Sequence, residues 1–299
     1  MTTPTSRTPG PGSPADRAPP APAGKPPEVE EWVDERIHRP LARRVVALLV
    51  HTPITPNQVT LLSGLIGVGA GILVARGAAD PRWLLGGGAL LFLSVVLDCC
   101  DGQLARAKSI SSTYGAILDG IADYAVGLAL GIGAGAYMVA LHQSAWYALL
   151  AVVGIASSAV HAALFDHTKS RYIARVGGGY AEREEDLGLV RANRDRAWRE
   201  RRYRDALLLA LFHQYSAAQH AALQMAPAAD PAAFRAANAG RMQAWTPLGI
   251  GTHFALAYVA CLAAYWWPRA VEAYFIACST VGNLYLLVML RLEARAARA

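Results

Sequence analysis

The stretch that decides the fold reads Asp98-Cys99-Cys100-Asp101-Gly102-Gln103-Leu104-Ala105-Arg106, then eight residues, then Gly115-Ala116-Ile117-Leu118-Asp119-Gly120-Ile121-Ala122-Asp123. Four carboxylates sit here inside some of the most apolar sequence of the chain. On a helix, Asp98, Asp101, Gly102 and Ala105 fall at i, i+3, i+4 and i+7, so the two acids share a face with two small residues. Gly115, Asp119 and Asp123 repeat the arrangement at four-residue spacing. Two helices that turn such faces toward each other form a carboxylate-lined pocket with room for a ligand.

The cost of placing acids there is informative. One ionised Asp at bilayer depth costs roughly 2.5–3.5 kcal/mol, so four without partners cost on the order of 10 kcal/mol. That is comparable to the stability of a whole domain. Arg106 and Lys108 cannot neutralise four negative charges. Two hard divalent cations, Mg²⁺ or Mn²⁺, can, because they take oxygen ligands, and their remaining positions bind phosphate oxygens.

Outward from this stretch, the chain is 299 residues long, 54% hydrophobic and 17% charged, too apolar for an ordinary soluble domain. Apolar runs of about 20 residues indicate an all-α, polytopic membrane protein. Six spans are expected at 58–76, 83–106, 114–140, 145–170, 248–267 and 270–291. The net charge of +6 belongs to the loops between spans and matches no nucleic-acid-binding module, so nucleic acid is not an expected partner. Basic residues such as Arg36, Arg43, Arg106, Lys108, Lys169, Arg175 and Arg291 fall on one side, against Arg76, Arg82 and Arg269 on the other. The positive-inside rule then makes both termini and the acidic stretch cytosolic in a multi-pass membrane protein.

Residues 1–27 are rich in Pro, Gly, Ser and Ala and are expected to be a disordered tail, with no secretory signal peptide because no apolar stretch precedes residue 45. Residues 28–56 read as a juxtamembrane amphipathic helix, with Val29, Trp32, Val33, Ile37, Leu41 and Val45 at helical spacing. Residues 57–172 hold the first four spans and 247–299 the last two with a basic tail. Between them, 173–246 reads as a cytosolic helical insertion: a glycine run, an arginine-dense stretch, a helix-like segment from Ala206 to Met225 and a Pro- and Ala-rich connector. It can rest on anionic head groups, cap the site or meet a protein partner.

Glycines in the first three spans, from Gly64 to Gly135, suit close helix packing. Cys99, Cys100, Cys261 and Cys278 lack CxxC spacing and read as packing residues rather than zinc ligands or a disulfide.

The spacing Asp98-x2-Asp101-Gly102-x2-Ala105-Arg106-x8-Gly115-x3-Asp119-x3-Asp123 resembles the signature of the CDP-alcohol phosphotransferases, integral-membrane enzymes of phospholipid biosynthesis, with all eight signature residues present. The resemblance implies transfer of a substituted phosphate group from a CDP-alcohol, CDP-diacylglycerol being the expected donor and a CDP-linked small alcohol the alternative, to the hydroxyl of a small or phosphorylated alcohol. CMP is released. In that reading Asp98, Asp101 and Asp119 are metal ligands, and Asp123 completes the site and, as the family implies, accepts the proton. Gly102 admits the cytidine diphosphate close to the backbone, and Arg106 pairs with phosphate.

Weaker correspondences leave two readings each. Asn57 and Thr60, in Pro56-Asn57-x-Val59-Thr60, match a substrate-contacting feature of the family, although Thr55 and Pro56 alone explain a helix start. Ser112 matches a hydroxyl that contacts the CDP part, or caps a helix. Lys169 and Arg171 match residues that hold an acceptor phosphate, or are flanking charge. A homodimer is likewise implied by the family. Two other readings compete: a prenyltransferase-like enzyme, which normally carries a second aspartate-rich motif, and an ion-coupled transporter, which leaves Gly102, Ala105, Arg106 and Gly115 unexplained.

Overall fold

The computed structural model describes residues 26–110, 113–176, 187–203, 206, 209, 210 and 228–296. Most of the described residues are helical and none lies in a strand, and six helices are long and apolar enough to cross a membrane. The protein is an all-α, integral membrane protein. The expected tail and the Ala206–Met225 stretch fall almost wholly outside the described residues.

Helix α1 (Arg39–Leu49) follows a π-helical turn at Asp34–His38. Pro40, which has no N–H to give, is the second residue of α1, just past that turn. The first span, α2 (Pro56–Ala75), starts with a capping box: Gln58 N donates to Thr55 Oγ1, and Thr55 N donates to Gln58 Oε1. Then come α3 (Arg82–Ala107), α4 (Thr113–His142) and α5 (Trp146–Val176). Next along the chain are α6 (Leu187–Arg199), α7 (Pro231–Trp245), α8 (Ile250–Ala263), α9 (Ala270–Ala277) and α10 (Asn283–Ala296).

Small residues set how closely the motif-bearing helices approach. A Cβ on Gly71 of α2 would lie 2.4 Å from the Ala129 carbonyl oxygen of α4, and one on Gly133 would lie 2.1 Å from the Gly71 carbonyl oxygen. Backbone therefore rests on backbone, and any side chain there drives α4 away from α2. Around this contact Leu84, Leu91, Val95, Leu130, Met138 and Tyr258 form one buried cluster joining α3, α4 and α8.

Hydrogen bonds fix the two ends of the bundle. At one end Lys108 Nζ donates to the carbonyls of Thr52 (2.6 Å) and Ile54 (2.8 Å), holding the foot of α3 against the start of α2. At the other, Tyr137 Oη donates to the Pro268 carbonyl at 2.7 Å and His142 meets Glu272 at 2.9 Å. Deep between them, His161 of α5 contacts His253 of α8 (3.2 Å) and Asn283 of α10 (3.0 Å), so buried polar atoms also tie the last spans together.

Two segments differ from the sequence expectation. The fifth apolar stretch, expected at 248–267, belongs to a helical path over Pro231–Ala263, interrupted by a 3-10 turn at Thr246–Leu248. The expected connector is helix α7, started by Asp230, whose Oδ1 accepts from Ala233 N at 2.9 Å, with Pro231 in its first turn. Its Arg235 makes a bidentate pair with Glu28 (2.6 and 2.9 Å), and Tyr172 of α5 donates to the same carboxylate at 2.6 Å. The segment before α1 thus clamps α5 and α7, and α1 itself packs Ala42 and Val46 against Cys100 and Leu104 of α3.

Candidate active site

The four motif carboxylates come from α3 and α4, and both helices are needed. Asp98 and Asp101 lie one turn apart on α3, and Asp119 and Asp123 one turn apart on α4. One carboxylate oxygen from each of Asp98, Asp101 and Asp119 lies within 4.8 Å of the others. Asp101 is buried, and Asp98 and Asp119 are half-buried. Three hard oxygen donors at that separation fit a divalent metal ion, the donor set such ions take.

Asp101 is pinned from two sides. Thr60 Oγ1 donates to its Oδ2 at 2.5 Å, and the Gly102 backbone N–H donates to its Oδ1 at 2.5 Å. Thr60 is 2% exposed, and its hydroxyl also lies 3.2 Å from the Pro56 carbonyl, so its polar atom faces Asp101 rather than open space. Below it Ser63 donates to the Thr60 carbonyl and Ser94 to the Ser63 carbonyl, each at 2.8 Å, which locks α2 to α3 beneath the carboxylates.

Asp123 stands outside the trio of close oxygens but shares a cavity with Asp98, lined also by Ser63, Ser94, Ala122 and Val126. The cavity holds about 10 Å³, about one water molecule. At Gly102 an added Cβ would meet nothing nearer than the Arg106 guanidinium at 3.5 Å, so this glycine leaves the backbone approachable instead of serving a helix contact. Arg106 is exposed beside it.

The remaining expected residues are spread around this centre. Asn57 is half-buried in the first turn of α2, three residues before Thr60. Ser112 lies outside the described residues. Lys169 is half-buried on α5, 3.9 Å from Asp166 and 5.2 Å from the centre of the Phe165 ring. Arg171 is exposed, and two residues of helix turn it away from Lys169, so the structure does not bring the two cations together.

Two carboxylates that the sequence reading left out also bear on the site. Asp166 is half-buried on α5, 3.9 Å from Lys169. Glu31, before α1, accepts from the Thr252 N–H (2.6 Å) and hydroxyl (2.7 Å) at the start of α8, and Lys169 attracts it. Burial, with repulsion from Asp34, pushes the Glu31 carboxyl up to about 7, against the Thr252 hydrogen bonds. The only signal in the sequence for Asp166 is its spacing of three from Lys169; Glu31 has none.

Residues 53–189 match the family model described as CDP-alcohol phosphatidyltransferase. The chain is 40% identical over 121 residues to the bifunctional IPC transferase and DIPP synthase of Rubrobacter xylanophilus, a match covering 34% of this chain and 26% of that protein. The Archaeoglobus fulgidus protein of the same name is 29% identical over 165 residues, covering 55% of this chain and 30% of the relative. The phosphatidylinositol phosphate synthase of Mycobacteroides abscessus is 28% identical over 160 residues, covering 52% of this chain and 67% of that protein. The chain thus spans about a quarter to a third of the bifunctional relatives and two thirds of the synthase. The matched segment contains all four carboxylates and the helices that carry them. Across residues 53–189, a little under half of its length, the chain is similar to the CDP-alcohol phosphatidyltransferase family.

Proposed function

We propose that the protein transfers a substituted phosphate group from a CDP-alcohol to a hydroxyl acceptor with release of CMP, in membrane phospholipid synthesis. The observation that carries this reading is the convergence of Asp98, Asp101 and Asp119, oxygens within 4.8 Å, inside helices apolar enough to span a bilayer. Asp98, Asp101 and Asp119, completed by Asp123, would hold two Mg²⁺ or Mn²⁺ ions, which neutralise the charge of a pyrophosphate. The chain's own side chains do the rest. Arg106 pairs with donor phosphate, Gly102 lets the donor approach the helix backbone, Asn57 meets the CDP-linked substrate, and Ser112, outside the described residues, is assigned to the CDP part. Thr60 orients Asp101.

In the reaction, the acceptor oxygen forms a bond to the donor phosphorus, the phosphoanhydride bond breaks, and CMP leaves with the electron pair. The hydroxyl proton passes to Asp123. The name of the Mycobacteroides relative supports a phosphatidyl donor, CDP-diacylglycerol, and a phosphorylated acceptor, whose phosphate Lys169 meets from α5 with Arg171 at the exposed rim. The excess of Lys and Arg at the end of the bundle holding Lys108, Lys169 and Arg175 supports a site facing the cytosol. A homodimer accords with the family, and the exposed Tyr124, Leu128 and Ile132 of α4 offer a face for it.

The test is CMP release by the purified protein in nanodiscs, with CDP-diacylglycerol and a panel of radiolabelled acceptors including inositol phosphate, glycerol phosphate and serine. Acceptor-dependent CMP release and a labelled lipid product are expected. Absence of CMP with every donor and acceptor pair would refute the reading.

A further inference from the structure

The arginine-dense stretch from Arg191 plays no part in the chemistry above, and all of it lies beyond the family match, which ends at residue 189. Helix α6 stops at a turn in which Arg201 takes a left-handed backbone (φ 58°) without being glycine. The Arg202 N–H bonds the Ala197 carbonyl at 2.9 Å and the Arg201 N–H bonds the Trp198 carbonyl at 3.1 Å, closing the helix end. This reversal brings Tyr203 back onto Trp198, ring centres 5.3 Å apart and planes at 78°. Yet the pair is not covered: Trp198 is 64% and Tyr203 55% exposed.

Charge surrounds the aromatic pair. Residues 191–203 hold six arginines against Asp195 and Glu200, a net charge of +4. Both acids are already engaged, Asp195 by Arg194 (2.7 and 2.9 Å) and Glu200 by Arg202 (3.3 Å). Arg191, Arg196, Arg199 and Arg201 are exposed; Arg191, seven residues before Trp198, shares its helix face, whereas Arg196, two residues before it, is turned to the other side. Amphipathic rings beside exposed arginines suit a membrane–water interface, where ring bodies enter the acyl boundary and guanidinium groups meet phosphates. The chain from Val176, the end of α5, to Leu187 spans at most about 40 Å, so α6 is tethered within that distance of the end of α5.

We propose that α6 and its closing turn dock on the anionic lipid surface of the membrane the chain itself spans, with Trp198 and Tyr203 as the inserted wedge and Arg191, Arg199 and Arg201 as head-group contacts. This does not depend on the transferase reading, and its test does not measure turnover.

The full-length protein is reconstituted in bilayers of phosphatidylcholine alone or mixed with phosphatidylglycerol. Trp198 emission is taken as the difference between the wild type and Trp198→Phe, with shallow brominated lipid and aqueous acrylamide as quenchers. With phosphatidylglycerol, Trp198 emission is expected to shift to the blue, to be quenched by the brominated lipid and to lose several-fold in acrylamide quenching. High salt or joint Arg191→Gln and Arg199→Gln substitution is expected to reverse this. Trypsin cleavage within 191–202 is expected to slow in the anionic bilayer only. Equal acrylamide access and equal cleavage in the two bilayers would overturn the proposal. So would protection conferred by added single-stranded RNA in neutral bilayers and not by anionic lipid, which would assign the surface to nucleic acid.

Discussion

Asp101 is the residue on which the site's geometry turns, because both of its oxygens are held before any ligand arrives. Holding a metal-binding carboxylate in one rotamer typically accounts for 10–100-fold in metal affinity or activity. Thr60→Val is therefore expected to weaken Mn²⁺ binding by roughly 10–100-fold with the fold intact, and Thr60→Ser to restore most of it, both read by titration calorimetry. At Asp123 the expectation is different. Asp123→Asn should abolish turnover while the protein still binds CDP-diacylglycerol; full turnover in that variant would remove Asp123 from the proton-transfer role.

The acids themselves were legible in the sequence, since spacings of three and four put each pair on one helix face. Thr60 was legible only as a motif position. That its hydroxyl sits on a carboxylate 41 residues away is a product of how α2 packs on α3, and no local spacing encodes it.

Among the elements, α2 and α4 set the separation on which the carboxylate cluster depends. Gly71→Leu puts a side chain where backbone already stands, 2.4 Å from the Ala129 carbonyl, and neither backbone can yield cheaply. A loss of about 1–3 kcal/mol is expected for overpacking of this kind, with loss of activity as Asp119 is carried away from Asp98 and Asp101; thermal melting and turnover in detergent check it.

The segment before α1 supplies a pH-dependent term. Glu31 ordinarily titrates at 4.5 and is raised to about 7 in the folded protein. Because folding favours its protonated form, its contribution to stability is complete below the ordinary value and is lost as pH rises through about 7. Glu31→Gln carries no such group, so the melting temperature of the variant should rise relative to wild type between pH about 5 and about 8. A constant difference over that range would contradict the assignment.

Helix starts were readable where caps are local, as at Thr55-Pro56-Asn57-Gln58. The same kind of signal stood at Asp230-Pro231, yet the alanine-rich sequence after it reads equally well as a connector. What makes α7 a fixed element is Glu28, 207 residues away from Arg235.

For the whole molecule, the arrangement of ends makes a statement about sidedness. Lys108, Lys169 and Arg295 belong to one end of the bundle and Arg269 to the other. Arg295→Cys is expected to react with a membrane-impermeant maleimide only from the cytosolic face, and Arg269→Cys only from the opposite face; the reverse pattern would place the carboxylates outside. Apolar run lengths fixed the number of spans. The route of the chain between the fourth and fifth was not readable, because α7 is alanine-rich and is held by the ion pairs of Arg235 and Arg241 rather than by a continuous apolar stripe.

The central claim is that carboxylates from two different helices act as one divalent-cation site. Electron paramagnetic resonance of Mn²⁺ with the purified protein tests it most directly. Bound Mn²⁺ is expected in the wild type, and it should be lost when either the α3 contribution (Asp101→Asn) or the α4 contribution (Asp119→Asn) is removed. Equal Mn²⁺ binding by the wild type and both variants, or none in the wild type, would contradict it.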